Sequence, residues 1–233
     1  MKNIKEQKVV VITGGSKGFG KALAESFALE GYNVVISSNE KKELQAASKE
    51  LSVDQFFADV TFAKDMKKLG EYVFKKYGAI DIWVNNAGIQ IAPSSVEDIN
   101  IKKLHHLFDV NFFGYFYGCQ AALSYMKKKG EGIIININST AGLEGKSEIS
   151  AYSSSKFAVK GLTESIRKEV AGSNIKVYGV FPGGMQTEIY KDKYPADIKE
   201  YMDVGTVAKK VVENLKAEKP EIDLVVKRPS GAG

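Results

Sequence analysis

A chain of 233 residues that is 44% hydrophobic and 26% charged matches soluble globular usage and has room for one well-packed domain, which excludes a disordered or fibrous polymer. The formal charge of +5 does not make it a nucleic-acid binder: only Arg167 and Arg228 are arginines, and lysines spread from end to end lack the planar fork that reads guanine. Cys119 stands alone, which excludes a disulfide framework and a thiolate metal cluster and fits a reducing compartment.

From the N-terminus, Met1–Lys8 is polar, and Val9–Ile12 is too short an apolar run for a signal peptide, so a cytoplasmic location is expected. Val9–Ile12 is also the first of seven short strand-like runs. The others are Asn33–Ile36, Gln55–Ala58, Ile80–Val84, Ile133–Ile137, Ile175–Val180 and Ile222–Val226. Longer segments of helical period lie between them, Lys21–Leu29 being the first. Such alternation is the pattern of repeated βαβ units and predicts an α/β fold, doubly wound, with a parallel sheet of about seven strands and helices on both faces. The stretch Leu107–Met126 approaches membrane length, but Asp109, Asn111 and Gln120 interrupt it. It is read as a buried or subunit-facing helix, and no membrane partner is expected. No linker divides residues 1–233, which are read as one domain. Residues 184–201, irregular and rich in Lys, Tyr and Pro, are read as a lid over a site.

The first strand runs into Thr13-Gly14-Gly15-Ser16-Lys17-Gly18-Phe19-Gly20 and then a helix. Glycines there allow a tight turn and close approach of a pyrophosphate, and the helix N-terminus presents free amides, so the segment reads as an anion cradle. Its spacing is neither Gly-x-Gly-x-x-Gly nor that of a P-loop, since Gly18 is followed by Phe19. The second strand ends at Ser37-Ser38-Asn39, where an NAD-selective site usually carries a carboxylate for the adenosine 2′-hydroxyl. Ser38 and Asn39 are neutral and Lys17 can add a cation, so NADP(H) is favoured over NAD(H).

Three tyrosines stand four residues before a lysine: Tyr72 with Lys76, Tyr125 with Lys129, and Tyr152 with Lys156. Spacing alone cannot choose among them, but Ser139 lies thirteen residues before Tyr152, just past a strand. At that offset the other two tyrosines have Asp59 and Phe112, neither of which donates a neutral hydroxyl. Together with Thr13-Gly14-x3-Gly18-x-Gly20, Asn85-Asn86-Ala87-Gly88, Asn111 and Pro182-Gly183, this set closely resembles the short-chain dehydrogenase/reductase family in its one-domain form. The resemblance covers almost the whole chain and implies a Rossmann-like sheet and an oxidoreductase that moves hydride between NADP(H) and a ketone or aldehyde or the corresponding alcohol.

Carried over residue by residue, the resemblance implies Tyr152 as general acid or base and Lys156 as the group that holds the nicotinamide ribose and acidifies the phenol. Ser139 would bind the substrate oxygen, and Asn111 would hold a water linked to Lys156. The glycine turn (Gly14, Ser16, Lys17, Gly18, Phe19, Gly20) with Ser38 and Asn39 would take the phosphates and ribose. Asp59 and Val60 would contact adenine, Asn86, Ala87 and Gly88 the adenosine side, and Pro182, Gly183 and Thr187 the nicotinamide end. Gln90, Leu143, Met185 and Tyr190 are candidate substrate contacts beside Ser139 and Tyr152, while the lid lysines Lys191 and Lys193 read as solvated. A homodimer or homotetramer is also implied.

A free tyrosine has a pKa near about 10. One cation about 5 Å away at an effective dielectric of about 20 is worth roughly 3 kcal/mol, so Lys156 is expected to bring Tyr152 to about 7.5 to 8. Asn111 lies in a helical stretch where a buried amide needs partners and a kink is plausible. His105 and His106 lack companions at metal-ligand spacing, and no metal is expected. Phe112, Phe113, Tyr115, Phe116 and Tyr117 read as core or subunit contact, and Cys119 as a small buried hydrophobe. Two rivals are weighed. Ser153-x-x-Lys156 formally fits an acyl-serine hydrolase but lacks that chemistry's companion motifs. A catalytically silent NADP(H)-binding regulatory module would have no use for the Tyr152–Lys156 pair.

Overall fold

The computed structural model describes residues 7–190 and 192–228. The polar segment before Gln7, Lys191 of the lid and the tail from Pro229 lie outside the described residues. Seven strands form one sheet: β1 (Val9–Thr13), β2 (Asn33–Ser38), β3 (Asp54–Phe57), β4 (Ile82–Asn85), β5 (Glu131–Ile137), β6 (Asn174–Pro182) and β7 (Asp223–Val226). Their order is β3-β2-β1-β4-β5-β6-β7, and every pairing is parallel. Parallel neighbours need crossovers, which α1 (Gly18–Leu29), α2 (Lys41–Leu51), α3 (Ala63–Tyr77), α4 (Ile101–Phe108), α5 (Gly114–Lys129), α6 (Ser150–Glu169) and α7 (Val204–Lys216) provide.

The two-residue period of a strand divides the core between the two faces of the sheet. Val10 and Ile12 of β1 pack with Leu23 and Phe27 of α1, Leu44 of α2 and Val211 of α7. Val9 and Val11 face the other way, onto Leu69 of α3, Ala122 and Met126 of α5 and Ile166 of α6. All five residues of β1 are buried, as befits a central strand covered on both sides. The sheet is therefore a single-domain, doubly wound Rossmann-like layer. Strand positions match the expected ones, with ends displaced by a residue or two where an exposed residue such as Glu131 still completes the ladder.

The stretch expected as one helix across Leu107–Met126 is α4 and α5 joined by a π-helical turn, Asp109–Phe113. The wider turn carries Asn111 inward to full burial. Among the described residues no helix is long and apolar enough to cross a membrane.

Chain order reverses direction across the sheet at β1, which lies between β2 and β4. The carboxyl ends of β1 and β4 therefore flank a crevice, the usual ligand position in an open parallel sheet.

Candidate active site

The turn from β1 into α1 holds Gly14 at φ 64° and Gly18 at φ 53°, left-handed conformations that glycine adopts without strain. Contact with the β4 exit closes the turn: a Cβ on Gly14 would lie 2.8 Å from Ala87 Cα. Asn86 completes the closure. Its Nδ2 donates to the Thr13 and Gly14 carbonyls (2.9 and 3.2 Å), and its backbone N–H donates to Thr13 Oγ1 at 3.0 Å. Asn86 thus shapes the cradle with its amide group. The N-terminus of α1 at Gly18 opens into the same space, with its unpaired amides available to an anion.

At the end of β2, Ser16 Oγ donates to Ser38 Oγ at 3.0 Å, and Asn39 Nδ2 donates to Asp59 Oδ2 at 3.1 Å. Burial pushes the Asp59 carboxyl upward, but hydrogen bonds from Thr61 and Asn39 outweigh it and hold the group below the usual carboxylate range. Lys17, expected to add a cation here, is held by carboxylates in the fold. Lys17 Nζ lies 2.7 and 2.6 Å from the two carboxylate oxygens of Glu40 and 3.9 Å from Glu188 Oε2. With two carboxylates around one ammonium, charge at this corner is not net positive. Reading the strand end only as far as Asn39 missed the carboxylate one residue further on.

At the other end, Ser139 follows β5 and Tyr152 stands in the first turn of α6; both side chains line the cleft, and the Ser139 hydroxyl is near enough to lower the phenol's pKa. Lys156, one helical turn on, is 3% exposed and donates to the Ile137 carbonyl at 2.9 Å. Tyr115 Oη donates to that same carbonyl at 2.7 Å. Lys156 Nζ therefore sits over two aromatic rings, 5.1 Å from the Tyr115 centroid and 5.7 Å from the Tyr152 centroid. Tyr115, read from sequence as core or subunit contact, is buried core and in addition walls in this lysine. Asn111 clamps the loop after β4: its Nδ2 donates to Ile89 O (2.9 Å) and Ser155 Oγ (3.1 Å), and its Oδ1 accepts from Ile89 N–H (2.8 Å).

The expected acidification of the phenol is not what this geometry produces. Burial pushes Tyr152 up to about 12, a rise that the nearby Ser139 hydroxyl only moderates, and burial pulls Lys156 down to about 7. Desolvation disfavours both charged forms, and here it outweighs their mutual attraction. Lys156 keeps only the Ile137 carbonyl as a hydrogen-bond partner, which leaves donor capacity at the edge of the cleft.

Holding a lysine here has a stability cost. An unfolded lysine titrates near 10.5, so between about pH 7 and 10.5 the unfolded chain binds the additional proton. The penalty is full below about pH 7 and fades toward 10.5. Lys156→Met is expected to raise stability by about 1–3 kcal/mol at neutral pH, with the gain shrinking as pH rises. Urea denaturation across that window checks it; an unchanged or lowered midpoint at neutral pH would contradict it.

Both ends belong to one cleft of about 880 Å³, within the size range of cofactor sites. Of the residues expected to contact cofactor or substrate, all line it except Asn111, which is buried behind the wall, and Leu143. Leu143 follows a 3-10 turn (Thr140–Gly142) and is 40% exposed, so its place as a substrate contact is corrected; Ala141 and Glu144 on either side line the cleft. Gln90, Met185 and Tyr190 line it as expected.

Residues 184–190 and 192–201 are held down by contacts between residues distant along the chain. Gln186 Nε2 donates to the Lys199 and Tyr201 carbonyls at 3.0 and 2.8 Å. Arg228 stacks 3.8 Å above the Tyr201 ring and pairs with Asp197 at 2.8 Å. Tyr190 meets Tyr201 edge-on, their centroids 5.5 Å apart.

The fit to a dinucleotide rests on three observations: glycines where a Cβ would collide, a helix N-terminus at one end, and a buried lysine with donor capacity at the other. His105 and His106 are exposed in the last turn of α4, and no cluster among the described residues could hold a metal ion. Cys119 is buried, accepts a hydrogen bond from Asn85 Nδ2 at 3.3 Å, and burial pushes its thiol up to about 12.

Comparison with known proteins agrees with this architecture. A diacetyl reductase, (S)-acetoin forming, of Staphylococcus epidermidis is 32% identical over 206 residues, spanning 85% of this chain and 80% of its own. An alcohol dehydrogenase of the archaeon Thermococcus sibiricus, solved with 5-hydroxy-NADP, superposes with a TM-score of 0.85 at 24% identity over 97% of this chain and 99% of its own. A 3-ketoacyl-(acyl-carrier-protein) reductase of Brucella melitensis, solved with NADH, gives 0.88 at 24% identity over 95% and 97%. These two show that the fold is shared. The short chain dehydrogenase model matches residues 8–198, from the first strand through most of the residues that line the cleft. With that match and the Staphylococcus relative, the chain belongs to the short-chain dehydrogenase family and is an oxidoreductase of the class that uses nicotinamide cofactors.

Proposed function

We propose that this protein is an NADP(H)-preferring carbonyl reductase, which reversibly converts a small ketone or aldehyde to its alcohol. The observation that carries the reading is that Ser139, Tyr152 and the buried Lys156, whose Nζ lies 5.7 Å from the Tyr152 ring centroid, line one cleft that begins at the glycine turn. When bound, the nicotinamide supplies the hydride chemistry; the protein aligns the partners and handles the proton. Gly14, Ser16, Gly18, Phe19 and Gly20 would hold the pyrophosphate. Asp59, Val60, Ala87 and Gly88 would hold the adenosine half, with Asn86 keeping the turn in shape. Lys156, Pro182, Gly183 and Thr187 would hold the nicotinamide ribose and ring.

Ser139 donates a hydrogen bond to the substrate oxygen, and Tyr152 delivers a proton to that oxygen as it becomes alkoxide. A phenol raised to about 12 stays protonated through neutrality, which suits it to act as acid in reduction. Asn111 keeps the Ile89 loop against α6 and so fixes the wall beside Lys156. Residues 184–201 serve as a lid, with Met185 and Tyr190 facing an apolar substrate.

NADP(H) is favoured because Ser38 and Asn39 leave the 2′-position free of a carboxylate on β2 itself, and Lys17 is the cation within reach. The Staphylococcus relative named for diacetyl makes vicinal diketones the first compounds to try. Exposed Phe113 and Phe116 on the π turn and α5, with Phe157 on α6, favour a homodimer or homotetramer, and the single buried cysteine suits the cytoplasm.

A panel of diketones, ketones and aldehydes, followed by loss of nicotinamide absorbance, tests the reading. Turnover is expected with a higher kcat/KM for NADPH than for NADH. Tight cofactor binding with no turnover on any compound would instead favour a silent regulatory module.

A further inference from the structure

Lys17 is the residue on which the proposed preference for a 2′-phosphate rests, and the inference here depends on that reading. Two carboxylates from different parts of the chain converge on it. Glu40, just past β2, lies 2.7 and 2.6 Å from Nζ through its two oxygens, and Glu188 of the lid approaches to 3.9 Å. All three residues line the cleft.

Glu40 occupies the N-cap position of α2, where a side chain commonly accepts from the helix's own amides, yet it makes no such cap. Its backbone N–H donates instead to Ser38 Oγ at 3.1 Å, and Ser38 in turn accepts from Ser16. That short chain of hydrogen bonds folds the Glu40 carboxylate back over the glycine turn. The pair contributes little to folding, since its side chains are 43% and 38% exposed and such ion pairs are worth about 0–1 kcal/mol. An ion pair this weak is easily exchanged for another at the same lysine.

We propose that Glu40 is a specificity-determining residue for the cofactor. Its carboxylate competes with the 2′-phosphate for Lys17 and so restrains NADP(H) preference, keeping the site open to NAD(H). Two anions on one ammonium repel each other, and a phosphate carrying nearly two charges feels that repulsion more than a neutral 2′-hydroxyl does. Glu188 acts in the same sense but more weakly, being further from Nζ and 69% exposed.

The test measures Kd by calorimetry for NADPH, NADH, adenosine 2′,5′-bisphosphate and 5′-AMP with wild type, Glu40→Gln, Glu188→Gln and Lys17→Met. Glu40→Gln is expected to tighten NADPH and the bisphosphate about tenfold and to move NADH and 5′-AMP less than about twofold. Glu188→Gln should give the same pattern at about twofold to threefold. If Lys17→Met weakens NADPH selectively while Glu40→Gln leaves the NADPH-to-NADH ratio unchanged, the role of Glu40 is overturned and the reading of Lys17 stands. If Lys17→Met leaves that ratio unchanged, the reading of Lys17 itself fails and the proposal falls with it.

Discussion

Tyr152→Phe is expected to lower kcat for carbonyl reduction by about 10³-fold while leaving the Kd for NADPH within about threefold of wild type. The substitution removes one oxygen and keeps the ring that packs beneath Lys156 Nζ, so the ammonium keeps its place over both aromatic faces. What disappears is the phenolic hydroxyl that lies near Ser139 in the cleft and that the proposed function assigns to the substrate oxygen. Hydride arriving at the carbonyl carbon would then create an alkoxide with no positioned proton donor. Stopped-flow and steady-state kinetics beside a calorimetric cofactor titration separate the two effects. Retention of more than about a tenth of kcat would remove Tyr152 from the proton transfer. A parallel collapse of cofactor affinity would make its role structural.

Gly20→Ala should have an equally large effect at the other end of the cleft, and its readout is the opposite one. A Cβ there would lie 2.2 Å from the Gly14 carbonyl oxygen and 2.4 Å from Asn86 Nδ2, both parts of the turn itself. Neither neighbour is the loose end of a flexible side chain. Relief requires the glycine turn to move away from α1, breaking the Asn86 hydrogen bonds that shape the cradle. NADPH affinity is expected to fall at least about 100-fold, with a stability loss of about 1–3 kcal/mol from overpacking. Fluorescence titration with NADPH and thermal unfolding without cofactor measure each part. An unperturbed Kd would mean that the pyrophosphate does not sit against this turn.

Much of the fold is visible along the chain because the central strands β1, β2 and β4 are short, largely apolar runs that are buried almost throughout. Local pattern also places the glycine turn, since Gly14 and Gly18 stand where only a left-handed backbone closes the loop. What pattern cannot display is pairing across the sheet. Glu40 is one residue beyond the stretch that seemed to decide cofactor charge, and only the fold of the β2–α2 turn brings it onto Lys17. Tyr115 looks like one aromatic among several in its helix, yet it shares the Ile137 carbonyl with Lys156. Arg228 comes from the far end of the chain to brace Tyr201 and Asp197 at the lid.

Burial was the other invisible quantity. From a bare Tyr-x3-Lys spacing, charge attraction alone predicts an acidified phenol. In the folded protein both groups are withdrawn from water, and the cost of charging either one outweighs the attraction. That result fits the proposed role of Tyr152, with the phenol held as an acid rather than as a standing base. If the proposed reaction holds, its reverse, alcohol oxidation, is expected to gain rate toward alkaline pH as the phenolate forms.

The most direct measurement of the central claim follows an atom. NADPH carrying deuterium at the transferable ring position is incubated with the purified protein and the best carbonyl compound of the panel, and the alcohol is analysed by mass spectrometry and NMR. The account predicts one deuterium, bonded to the carbinol carbon, in wild-type product, and no such product from Tyr152→Phe on the same timescale. Cofactor oxidation without a labelled alcohol, or label found anywhere but on that carbon, would contradict it.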